Sequence, residues 1–203
     1  MIVAIEGPSA AGKTTWCRSH FAGNYIEETP DDIGDPERIY SDPIGAAKFW
    51  VEYQIKRWSL ALAIEKEHGV AICDTDPLRL YHSWSLWQSG VIPSKLFLEE
   101  AELYRCAMRR QRVGFADIVI LMDAPLEELR RRAQADSSRR RHSHELFMLL
   151  LPWTQAWWRI REQVLTGGVR AADEAVLENR PVSPRRYDDR AFDLMVEKAR
   201  GWR

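Results

Sequence analysis

Met1-Ile2-Val3-Ala4-Ile5-Glu6-Gly7-Pro8-Ser9-Ala10-Ala11-Gly12-Lys13-Thr14-Thr15 opens the chain. The run from Ile2 to Ile5 is short, apolar and β-branched, the pattern of a buried strand. It stops at Gly7, and Gly7 to Thr14 spells G-x-x-x-x-G-K-T, the P-loop pattern for phosphate. Glycines let such a loop turn back on itself, so that successive backbone N–H groups point into one concavity. The helix expected from Thr15 to Phe21 adds the positive end of its dipole. Gly7, Pro8, Ser9, Ala10, Ala11, Gly12, Lys13, Thr14 and Thr15 are therefore expected to hold a nucleoside triphosphate. Lys13 is expected to reach its β- and γ-phosphates, and the Thr14 hydroxyl to meet Mg²⁺.

The remaining composition is that of an ordinary globular protein. At 203 residues one domain is the default, and it is long enough to bury a core. A net charge of −1 gives no global field that favours nucleic acid or membrane. Cys17, Cys73 and Cys106 are widely spaced and form no C-x-x-C pair, which fits reduced thiols in a cytoplasmic protein. The N-terminus reads as a core strand and not as a leader, and no apolar run approaches membrane-spanning length. The nine tryptophans suggest a core with an aromatic-walled cavity.

Beyond the P-loop, strands and helices alternate. Asn24 to Thr29 reads as a short strand ended by Pro30, with Glu27 and Glu28 at its carboxyl end, where ligands of open α/β sheets sit. Residues 31 to 45 read as a connection. An amphipathic helix is expected from Ala46 to His68, closed by Gly69, with Phe49, Trp50, Tyr53, Gln54, Arg57 and Trp58 along it. Val70 to Pro77 reads as a third strand, ending Asp74-Thr75-Asp76 before the proline. Asp74 is the candidate metal ligand, while Asp76 is divided between capping the next helix and touching substrate. Helices are expected over Leu78 to Gln88, with Trp84 and Trp87, and over Ser94 to Arg112. Ala116 to Pro125 reads as a fourth strand. After a helix from Leu126 come Arg130, Arg131, Arg132, Arg139, Arg140 and Arg141, broken by Asp136-Ser137-Ser138, a pattern that fits a lid over residues 133 to 144. A helix pair around Pro152, a weak fifth strand near Val169 to Val176 and a helix from Asp188 to Arg200 complete the chain.

P-loop, Glu28-Thr29-Pro30, strand-end Asp74 and arginine tract occur in the order found in the P-loop kinases of the deoxynucleoside kinase and thymidylate kinase branch. The chain resembles that branch over residues 1 to about 165. The resemblance implies a P-loop NTPase fold, with a parallel sheet of about five strands flanked by helices and an arginine-rich lid. It implies that Glu28 acts near the acceptor hydroxyl, with Glu27 the weaker candidate. Tyr40-Ser41-Asp42-Pro43 and the following Trp50, Tyr53 and Gln54 are similar to the branch's base-holding helix. Its lid arginines map to Arg131, Arg139 and Arg141. Thr75 stands where the branch carries an arginine.

The expected activity is ATP- and Mg²⁺-dependent phosphoryl transfer to a hydroxyl of a small molecule, foremost a nucleoside or a compound like one. Lys13, Glu28 and the three lid arginines are the catalytic candidates. Thr14 and Asp74 are the metal candidates. Glu28, Trp50, Tyr53, Gln54, Asp76 and Trp84 are the substrate candidates. A nucleoside monophosphate kinase, a kinase for a non-nucleoside metabolite or antibiotic, and a nucleotide-dependent switch remain as alternatives. The expected partners are ATP and the acceptor, with no nucleic acid or membrane; a homodimer stays open. Asp74 and Asp76 beside Thr75 argue against an acceptor that must carry a phosphate, unless Arg79, Arg105 or Arg109 reaches in as a clamp.

Overall fold

A five-stranded, all-parallel sheet in the order β2-β3-β1-β4-β5 carries the molecule. The strands are β1 (Ile2–Glu6), β2 (Tyr25–Ile26), β3 (Ala71–Asp74), β4 (Ile118–Leu121) and β5 (Val169–Ala171). This computed structural model describes residues 1–21, 23–28, 42–135, 144–172 and 182–202. Pro30, Tyr40, Ser41, residues 136–143 with Arg139, Arg140 and Arg141, and residues 173–181 lie outside them.

β1 is central and buried along its whole length, as is β3. Continuous apolar runs of this kind are what a parallel sheet covered on both faces requires. Ile5 pairs with Asp74 on one side and with Ile120 on the other. The P-loop and the acidic end of β3 therefore leave the sheet side by side at its carboxyl edge.

The helices are α1 (Lys13–His20), α2 (Pro43–His68), α3 (Leu80–Gln88), α4 (Ser94–Arg109), α5 (Leu126–Ala135), α6 (His144–Val164) and α7 (Asp189–Arg200). Among the described residues no helix is long and apolar enough to cross a membrane. Several helix ends depart from the sequence expectation, each for a local reason. α2 begins at Pro43 and not at Ala46, because the Asp42 side chain accepts from Ile44 N at 3.1 Å and proline suits the first helical position. α3 begins at Leu80, since the Asp76 carboxylate instead accepts from Leu78 N at 3.0 Å and holds 77–79 as a turn. α6 runs through Pro152 as one helix where a pair was expected. After the proline Trp153 and Trp157 pack on Trp84 and Trp158 on Tyr81, and before it Phe147 packs on His82, so tertiary contact on both sides offsets the lost backbone bond.

Arg57 of α2 ties the fold to the site edge. It is 3 % exposed, and its Nε donates to Glu27 O at 2.9 Å. Nη1 donates to Gln54 Oε1 at 2.7 Å, and Nη2 to Asp74 O at 2.5 Å and Thr75 O at 3.0 Å. One guanidinium thus satisfies the carbonyls that follow two strands. Arg57→Met removes these donors and leaves buried acceptors unpaired, so it is expected to lower unfolding free energy by about 3 kcal/mol in urea titration.

Candidate active site

Gly7 has φ +145°, and a β-carbon there would run into the Met122 carbonyl, so the first P-loop glycine is fixed by space as well as by backbone angle. Gly12 sits in the left-handed region at φ +94° as the N-cap of α1. Lys13 Nζ donates to Gly7 O at 2.9 Å and Pro8 O at 3.3 Å, arching over the loop.

Thr14 Oγ1 donates to Asp74 Oδ2 at 2.6 Å, joining the start of α1 to the end of β3. Asp74 Oδ1 is buried and has no protein partner. Burial raises the Asp74 pKa from its ordinary value, against the Thr14 hydrogen bond and the nearby Lys13. A hydroxyl and an orphaned carboxylate oxygen next to a phosphate loop are the hard donors that Mg²⁺ takes when substrate phosphates complete its shell. No cluster of three or more acidic, histidine or cysteine ligands occurs among the described residues.

Two cavities open at this edge. The first, about 490 Å³, is lined by most of the P-loop together with Glu28, Arg79, Tyr81, His82 and Arg132. The second, about 690 Å³, lies between α2, α3 and α4 and has a largely apolar wall that includes Ala46, Trp50, Leu86 and Leu96. Glu28, Arg79, His82 and Phe147 line both. Glu28 and Arg79 form an ion pair at 3.0 Å on this shared boundary. Burial works against the Glu28 charge, yet Arg79, Lys13 and Arg57 hold its carboxyl below the ordinary value. Burial, aided by Arg79, pushes the His82 imidazole down to about 3, so it stays neutral.

The expected residues separate into those that meet and those that do not. Lys13, Thr14, Asp74 and Glu28 converge, and Trp50 and Gln54 line the second cavity. Tyr53 lines neither; its ring stands edge-on to Trp50 at 6.0 Å. Two substrate candidates are corrected. Asp76 is fully buried, caps Leu78 and pairs with the equally buried Arg161 at 3.0 Å, facing away from both cavities. Trp84 is fully buried in the core, with Nε1 donating to Ala199 O at 3.0 Å.

Arg131 is also displaced from its expected place: it is exposed and pairs with Glu128 at 2.7 Å, while its neighbour Arg132 lines the first cavity and donates to Ala11 O at 3.4 Å. Arg57, read in the sequence as an aromatic-stripe neighbour, is the carbonyl clamp described above. Arg105 and Arg109 bind Asp193 and Asp189 of α7, which leaves Arg79 as the arginine that reaches in. His82 and Glu100 escaped the sequence reading altogether, although helical spacing from Arg79 and from Phe97 to Tyr104 places them on inward faces.

A P-loop at the carboxyl edge of a parallel sheet, with an acidic strand end beside it, defines a P-loop kinase-type fold. No protein-family model matches this sequence, and no curated protein matches it. Solved structures do match. Deoxyadenosine kinase from M. mycoides with bound dATP is 16 % identical with a TM-score of 0.59, over 98 % of this chain and 100 % of that one. The same kinase with the products dCMP and dCDP gives 15 % and 0.58, and with dCTP 15 % and 0.55, each over 99 % of this chain and 100 % of that one. The shared feature is the fold.

Behind the P-loop, Glu6 is buried and accepts from Asp76 N at 2.8 Å and Tyr81 Oη at 3.2 Å. Burial raises its pKa from 4.5 to about 8 against the pull of Lys13. Between those values the folded protein keeps a proton that the unfolded chain has lost. Its contribution is therefore complete below pH 4.5 and declines as pH rises through about 8. Glu6→Gln is expected to flatten this slope, on the order of 4 kcal/mol, in denaturation curves taken from pH 5 to 9.

Proposed function

We propose that this protein transfers the γ-phosphoryl group of ATP to a hydroxyl of a nucleoside or nucleoside-like acceptor, with Mg²⁺. The observation that carries this reading is the meeting of the phosphate cavity and the apolar cavity at Glu28 and Arg79. ATP would lie with its phosphates in the P-loop, and the acceptor would fill the second cavity with its hydroxyl toward the boundary. The nucleotides bound in the structurally similar kinases are consistent with such an acceptor.

In this mechanism the P-loop amides and Lys13 hold the β- and γ-phosphates, and Arg132 adds charge from the α5 side. Thr14 and Asp74 would hold Mg²⁺, which supplies charge neutralisation across the phosphates. Glu28, kept ionised by Arg79, orients the acceptor hydroxyl and takes its proton as the new O–P bond forms and the bond to the β-phosphate oxygen breaks. Arg79 positions Glu28 and places positive charge between the two cavities. Neutral His82 adds a wall of fixed charge state.

Arg79 also favours a second reading. A cation on the boundary can receive an acceptor phosphate, which the Asp74-Thr75-Asp76 sequence argued against, and Asp76 is neutralised by Arg161. A nucleoside monophosphate kinase therefore stands beside a nucleoside kinase. An acceptor screen with ATP, following ADP release over nucleosides, their monophosphates and unphosphorylated ring-bearing metabolites, separates these. Transfer to nucleosides is the expected result, and ADP release with none of them overturns the assignment.

The same assay checks the machinery. Lys13→Ala should stay folded and lose about 100-fold in turnover. Glu28→Gln is expected to lower kcat by about 100-fold while the KM for ATP changes little, because its work is on the acceptor. Arg132→Ala is expected to weaken ATP binding by about tenfold in calorimetry, and Arg131→Ala by less than about twofold.

A further inference from the structure

The second cavity carries polar atoms that phosphoryl transfer does not use. Glu100 of α4 lines it, on the face that also holds Phe97, Ala101, Tyr104 and Met108, all buried. A carboxyl group among apolar side chains is costly unless something pairs with it. The Ser83 hydroxyl of α3 lines the same cavity and donates to Leu80 O at 3.2 Å. Burial pushes Glu100 up to about 7, against Ser83 and Arg79. Among the described residues, Glu28, Arg79, His82 and Tyr104 are the other titratable groups on the cavity wall, and those α6 contributes are Leu146 and Phe147.

Gln54 of α2 lines the same cavity and is 1 % exposed. Its Oε1 accepts from Arg57 Nη1 at 2.7 Å, and arginine has donors only, so the orientation of the amide is fixed. Nε2 is buried and has no protein partner. Gln54 therefore offers N–H donors to whatever fills the cavity and withholds its acceptor. The lone pairs that a ligand N–H needs must come from elsewhere on the wall, and Glu100 has them.

We propose that Glu100 sets the acceptor specificity of this cavity by accepting a hydrogen bond from a ring N–H or amino group, while Gln54 Nε2 donates to a neighbouring carbonyl or ring nitrogen. The class selected is the nitrogen heterocycle with a donor–acceptor edge, as in a nucleobase. Ring-bearing metabolites without such an edge are rejected, because filling the cavity with them strands both groups unpaired. This rests on the reading that the second cavity holds the acceptor.

The test uses pairs that differ only in the donor: thymidine and N3-methylthymidine, deoxycytidine and N4,N4-dimethyldeoxycytidine, deoxyadenosine and N6,N6-dimethyldeoxyadenosine. Binding to the full chain is measured by calorimetry without ATP, and transfer is followed separately by ADP release. The parent that binds best is expected to exceed its alkylated partner by about 30-fold or more in Kd. Glu100→Met should reduce that ratio to less than about threefold, and Glu100→Gln, which keeps an acceptor oxygen, should retain part of it. Thermal unfolding should show both variants folded, since each replaces a half-buried carboxyl on an apolar wall with an uncharged side chain. Equal binding within the pairs, an undiminished ratio in Glu100→Met, or binding of none of the parents overturns the inference. Discrimination without transfer would overturn the phosphotransferase reading and leave this one standing, whereas transfer to parent and alkylated nucleosides alike would do the reverse.

Discussion

The placement of the site depends on one buried guanidinium. Arg57 reaches from the middle of α2 to the carbonyls of Glu27, Asp74 and Thr75, which lie just past or at the ends of two neighbouring strands. Strand ends in a parallel sheet leave carbonyls without ladder partners, and water would take them in an open crevice. Here a protein donor takes them, so the chain leaves β2 and β3 on fixed paths. Glu28 and Asp74 inherit their positions from those paths. The same side chain orients Gln54, so the polar wall of the second cavity is set by the clamp that holds the strand ends.

A second constraint is electrostatic. Glu6, Glu28, Asp74 and Asp76 crowd the carboxyl edge of the sheet, and each is handled differently. Asp76 has Arg161 as a buried counter-ion, and Glu28 has Arg79. Asp74 has only a hydroxyl, and Glu6 only a backbone N–H and a phenol. Burial pushes Glu6, Asp74 and Asp76 upward in pKa, Asp76 in spite of its arginine. Glu28, which faces both cavities, is held ionised. Of these four carboxylates, Glu28 is the one whose neighbouring cations outweigh its burial.

The local features were legible in the sequence. Ile2 to Glu6 with the G-x-x-x-x-G-K-T run specifies a strand, a turn and a helix start within fifteen contiguous residues, and β4 is legible for the same reason. Long-range pairing was not. Nothing near Asp76 in the chain indicates Arg161, and Trp84 reads equally well as cavity wall or core until α6 is seen to pack on it. Arg79 is separated from β3 by a left-handed Thr75 at φ +75° and a turn capped by Asp76, so strand-end spacing gave no reason to prefer it over Arg105 or Arg109. Arg131 and Arg132 share Glu128 but differ by one helical step of about 100°, so that Arg132 also lines the cavity and reaches Ala11 O.

The bare Gly7 has a mechanical implication. Its α-carbon lies against the Met122 carbonyl, and Met122 N in turn donates to Glu6 O at 2.7 Å. The phosphate loop is therefore butted against the outgoing end of β4, four residues before α5 begins and ten before Arg132. Loop and helix share one footing. Residues 122–125 are all that separates that footing's strand from α5, so the two anchors for an anion spring from a common mounting, as the jaws of a calliper do.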